Sequence, residues 1–155
     1  MRASPGTGPF GVAFGSANHV YVSEFIANSA SSYLVAGTGD LQPISGSVTN
    51  GQKAVCWLAV TPDERFAYTT NTGSGTISGY ALTATGELRL LNADGVTARG
   101  TVPFDLAISQ SGTLIYVLSR RTGIDVFRID PTSGALTKTG SVTGLPSSSN
   151  GIVVY

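Results

Sequence analysis

Glu24, Asn71 and Arg120 are residues whose types could do chemistry together. A carboxylate can act as general acid or base, an amide can hold a hydroxyl, and a guanidinium can grip a carboxylate or phosphate with two parallel hydrogen bonds. Arg121 doubles the cation, and Phe10, Trp57 and Phe104 offer aromatic faces on which a ring can stack. Each also has a plainer role. The arginines read as solvated loop charges, Glu24 and Asn71 as partners of loop backbone, and the aromatics as packing between neighbouring elements.

Other polar residues point away from chemistry. His19 is the single histidine and falls in the turn Ser16-Ala17-Asn18-His19, where a surface position is expected. Cys56 is the single cysteine, which excludes an internal disulfide and a zinc site built from cysteines, so it reads as a small buried apolar residue. The Gly-x-Gly elements at Gly37 and Gly73 lack the following helix that phosphate cradling needs. No metal or cofactor is expected.

Composition narrows the partners. Nine basic residues balance nine acidic ones, charged residues make up 12% of the 155, and Lys53 and Lys138 lie far apart, so nothing forms the basic stripe of a nucleic-acid binder. No segment reads as a membrane span, and the opening MRASPGTGPF has no apolar run of signal-peptide length. Cellular location is left open.

The elements that must position the candidate residues repeat. Apolar triplets at Val12-Ala13-Phe14, Leu58-Ala59-Val60, Leu106-Ala107-Ile108 and Ile152-Val153-Val154 are separated by steps of 46, 48 and 46 residues. Tyr21, Tyr68 and Tyr116 keep the same step, as do Tyr33, Tyr80 and Phe127, and the turns at Gly39, Gly86 and Gly134. Each unit holds four short strand-like segments, A to D; in the middle copy they are WLAVT, RFAYTTN, TISGYAL and ELRLLNA. Four strands in such a period mark a blade of a β-propeller, whose sheets stack face to face because none buries its apolar faces alone. A sandwich or solenoid is the alternative. Small alanines at 13, 59 and 107 fit strand A as the innermost strand.

The expected fold is therefore all-β, a partial propeller of three four-stranded blades plus a closing strand. The repeats cover about 10–56, 57–103 and 104–150, with the closing strand at 151–155, in one domain spanning 1–155. Three blades cannot close a ring. N-terminal blades outside the chain, or self-association through open blade faces, are the expected partners. Up-and-down strands put the starts of strand A and the ends of strand B on one face. Phe10, Trp57, Phe104, Glu24, Asn71 and Arg120 are expected to converge there on a small anionic or polyhydroxylated ligand, with His19 on the opposite face.

The segments LAVTPDERFAYTTNTGSGTISGYALTATGEL at 58–88 and LAISQSGTLIYVLSRRTGIDVFRIDPTSGAL at 106–136 resemble the repeat of the seven-bladed lactonase-type propellers, which include 6-phosphogluconolactonases and the fungal carboxymuconate cyclase. The resemblance implies a lactonase or lactonizing cyclase acting on a sugar-acid or carboxymuconate-type lactone, with Arg120 holding the anion and Glu24 as acid or base. It also implies a histidine just before a strand A, where this chain has Phe10, Trp57, Phe104 and Gly151. That departure favours the other reading, a propeller that binds without catalysing.

Overall fold

The computed structural model describes residues 4–155; residues 1–3, where the opening segment begins, lie outside the described residues. Thirteen strands build three antiparallel sheets, and no helix occurs among the described residues. The first sheet orders β1 (Pro9–Phe14), β2 (His19–Glu24), β3 (Ser29–Val35) and β4 (Leu41–Thr49) side by side. The second holds β5 (Val55–Val60), β6 (Phe66–Asn71), β7 (Thr76–Leu82) and β8 (Leu88–Leu90), with β9 (Ala98–Arg99) also on β7. The third holds β10 (Pro103–Ile108), β11 (Leu114–Ser119), β12 (Gly123–Ile129) and β13 (Leu136–Val142).

Local chemistry explains the turns. Asp63 accepts from Thr61 Oγ1 at 2.6 Å and from the Arg65 N–H at 3.1 Å, which fixes the reversal between β5 and β6. Gly39, Gly86 and Gly134 all adopt φ between +71° and +84° before the fourth strand, a conformation that side chains resist.

Alternation along the strands sends successive side chains to opposite blade faces. Tyr21 and Ala30 pack against Leu58, Ala67, Tyr80 and Leu88 between the first and second blades. Phe66, Tyr68 and Ile77 pack against Leu106, Ile115, Val117 and Phe127 between the second and third. Ala13 and Ala59 border these two cores, and β5 touches both β1 and β10, so the A strands lie nearest one another on the inner side. The outer face of the first blade exposes Val12, Phe14 and Leu41 and holds an apolar cavity of about 290 Å³ beside Tyr33 and Pro43.

One detail departs from expectation. The fourth strand of the middle blade is split, because Asn92-Ala93-Asp94-Gly95 forms a turn closed by Gly95 N–H to Asn92 O, and the chain rejoins β7 only at β9. Residues 151–155, expected as a closing strand with partners outside the chain, pair with none of the described strands and so form no ladder.

Candidate functional site

Pro9 pairs with Glu24, Val55 with Asn71 and Pro103 with Ser119, so each A strand begins where its B strand ends, on one face of the propeller. The aromatic rings meet there. Phe10 lies 5.6 Å from Trp57 and 6.4 Å from Phe104, edge-on to both, and 5.9 Å from Phe25. Rings from all three blades therefore gather at the mouth, and Phe10, Phe25 and Trp57 stay between 37% and 43% exposed. Phe10, Trp57 and Phe104 sit within β1, β5 and β10 rather than before them.

Arg120 joins this cluster. Its guanidinium carbon lies 3.5 Å from the centre of the Phe104 ring, and Nη2 donates to Asn150 Oδ1 at 3.1 Å. A stacked guanidinium keeps its N–H edge for an anion while the ring holds its plane. Arg121 is exposed beside it.

Glu24 and Asn71 do not join it; this is a correction. Glu24 is fully buried, and its carboxylate accepts from Ser4 Oγ, the Gly6 N–H, Ser29 Oγ and Ser31 Oγ at 2.5 to 3.1 Å. Gly6 passes so close that any Cβ there would lie 2.0 Å from Glu24 Oε2. Asn71, also fully buried, accepts from Asn50 Nδ2 at 3.0 Å and donates to Thr76 Oγ1 at 3.0 Å and to Ser78 Oγ at 2.8 Å. Both side chains are bound up inside their blades, where each replaces water for neighbouring hydroxyls.

The reason is register. Three residues beyond Tyr21, Tyr68 and Tyr116 stand Glu24, Asn71 and Ser119, whereas Arg120 is one place further and shares its position with Phe25 and Thr72. A one-residue step on a strand changes the face a side chain occupies. Phe25 escaped the sequence reading, although counting from the tyrosines would have found it.

A second set of residues unread in the sequence fixes the mouth. Each A strand carries a register irregularity near its start, which frees a backbone N–H. Ser23 Oγ accepts the N–H of Gly11 at 2.8 Å and donates to the carbonyl of Cys56 in the next blade. Thr70 Oγ1 accepts the N–H of Trp57 at 3.0 Å and donates to Phe104 O at 2.8 Å. Thr72 Oγ1 bonds Pro103 O at 2.7 Å and lies 3.0 Å from Cys56 Sγ, within the buried surroundings expected of that cysteine.

Asp105 occupies the place of Gly11 and Trp57 in the third copy. It is 2% exposed, and burial pushes its carboxyl above the usual range although the N–H groups of Leu106 and Ile152 oppose the shift.

His19 requires a further correction. Ala17 and Asn18 take positive φ and turn the chain so tightly that His19 opens β2, 7% exposed, with Nδ1 3.4 Å from Glu64 Oε2 of the next blade. It is an inter-blade contact at the end of the blade away from Arg120, not a surface residue. Among the described residues, no three His, Cys, Asp or Glu side chains gather as a metal site would need.

Many solved structures share the fold. A Pseudomonas aeruginosa periplasmic gluconolactonase is 24% identical with a TM-score of 0.78, covering 95% of this chain and 42% of its own. A Lactobacillus plantarum protein is 22% identical with a TM-score of 0.80, covering 95% and 44%. A protein of unknown function from Desulfotomaculum acetoxidans is 24% identical with a TM-score of 0.76, covering 88% and 42%. The chain thus spans less than half the length of each. No curated protein matches it in sequence. The family described as lactonase, 7-bladed beta-propeller, matches residues 1–153, in keeping with the three antiparallel sheets and the converging A strands; the chain belongs to that family.

Proposed function

We propose that this chain supplies the binding half of a lactone site at the propeller mouth, where an anionic lactone lies on the Phe10, Trp57 and Phe104 rings with its charge held by Arg120. The observation that carries this is the guanidinium stacked on Phe104 at an exposed aromatic cluster. Family membership supports hydrolysis or formation of the ester. Hydrolysis adds water across the acyl C–O bond, leaving an alcohol, a carboxylate and a released proton. The rings and Arg120 bind and orient; in this reading the proton-transfer group comes from other blades of the ring, because the carboxylate of Glu24 is already occupied by protein donors.

That occupied carboxylate also favours a second reading, a binding scaffold without turnover. A panel of carboxylated and phosphorylated lactones, followed by proton release from the full-length protein, separates the two. Arg120→Ala is expected to lower kcat/KM about ten- to a hundredfold, the worth of a charge-assisted hydrogen bond of roughly 1.5 to 3 kcal/mol. His19→Ala, at the far end, leaves kcat/KM unchanged. No turnover of any member gives the scaffold reading; turnover with a fully active Arg120→Ala removes Arg120 from the site.

A further inference from the structure

We propose that Asn150 and Asp105 are positioning residues for Arg120, so that the segment following the third blade prepares the anion contact. The inference rests on the reading of Arg120 given above. At the first two blade junctions a hydroxyl on strand B ties one strand A to the next: Ser23 to Cys56 O, and Thr70 to Phe104 O. At the third junction the equivalent residue is Leu118, which has no hydroxyl. A carboxylate takes over. Asp105 accepts the Leu106 N–H at 2.7 Å through Oδ1 and the Ile152 N–H at 3.1 Å through Oδ2.

The tie has a consequence two residues earlier. Fixing the backbone at Ile152 places Asn150, whose Oδ1 accepts from Arg120 Nη2 at 3.1 Å. Asn150 stands where the other copies carry Phe10, Cys56 and Phe104, so it enters the mouth from the segment that follows the third blade. Phe104, next to Asp105 in β10, places its ring under the guanidinium carbon at 3.5 Å from the ring centre. The cation is therefore fixed in plane by a ring and in rotation by an amide, and both supports trace back to neighbouring residues of one strand. An arginine has five N–H donors, so one bond to Asn150 leaves four for a ligand. Holding a flexible cation in its binding geometry before the ligand arrives favours association, because less freedom is lost on binding.

Trp57 is the single tryptophan and touches the cluster through Phe10, so its emission reports ligand at the mouth. The test titrates the full-length protein with inorganic phosphate and with benzoate while Trp57 fluorescence is followed. Asn150→Ala and Asp105→Ala are expected to weaken phosphate binding about threefold to tenfold, with Asn150→Gln partly restoring it. In an Arg120→Ala background, Asn150→Ala should have no further effect. Any lactone that is turned over should show raised KM with kcat kept. Asn150 is exposed, so its variants report even if Asp105→Ala fails to fold. Wild-type binding by Asn150→Ala, with Arg120→Ala weakened, overturns the positioning role alone. An Arg120→Ala protein that binds both probes like wild type overturns the reading of Arg120 itself.

Discussion

Thr70 Oγ1 lies 3.0 Å from the Trp57 nitrogen and 2.8 Å from Phe104 O, so one hydroxyl joins two A strands across a blade boundary. Thr70→Val keeps the shape and leaves a partly buried N–H and C=O unpaired. A loss of about 1–3 kcal/mol is expected, read from the midpoint of urea unfolding, with Thr70→Ser close to wild type. Equal midpoints for Thr70→Val and wild type would remove the hydroxyl from the account of blade packing.

Tyr68 and Tyr21 occupy the same place in successive blades but differ in their bonds. Tyr68 OH donates to Gly134 O at 2.8 Å, while Tyr21 OH is buried with no partner among the described residues. Burial, with the nearby charge of Glu64, pushes the Tyr21 phenol up to about 12. Tyr68→Phe should cost about 1 kcal/mol and Tyr21→Phe should be neutral or stabilising, by thermal melting of both variants. The reverse order would contradict the bonding found here.

Glu24 separates a structural carboxylate from a catalytic one. Glu24→Gln turns an amide donor toward groups that already donate, so a stability loss of about 1–3 kcal/mol is expected. In the folded protein, phosphate binding followed by Trp57 fluorescence should be unchanged. Weakened binding at full stability would return Glu24 to the mouth.

Acid dependence follows from three aspartates. Burial raises Asp63, but the bonds from Thr61 and Arg65 and the charge of Arg65 overcome it and hold the carboxyl below its usual value; bonds from Ser133 and Thr132 do the same for Asp130. A lowered value in the folded state favours the ionised form, so this stability is present above the usual 3.8 and is lost as pH falls through the folded values. Asp105 has the opposite sign: burial raises it, so its contribution is present below 3.8 and is lost as pH rises through its folded value. Melting temperature against pH should fall at the acid end, and Asp63→Asn should flatten that limb. Asp105→Asn should flatten the slope just above the usual carboxylate value. An unchanged profile for either variant would remove its aspartate from the pH response.

The sequence by itself determined the repeat, the strand content and the turns. These are local properties: alternation has a period of two, and Gly39, Gly86 and Gly134 are needed wherever the chain takes positive φ before its fourth strand. It also marked Phe10, Trp57 and Phe104, because apolar residues beginning the innermost strand must end near the axis. The tertiary structure alone decided which polar residues reach the mouth. Glu24 and Arg120 both end a B strand in the sequence, but they differ by one step of register, and that step buries one inside a blade and stacks the other on Phe104. The tie from Asp105 to Ile152 was equally hidden, since it joins groups 47 residues apart through a backbone N–H that carries no side-chain signature. Register and long-range backbone bonds arise only when the sheets assemble, because neighbouring blades supply the partners that choose between two otherwise equivalent faces.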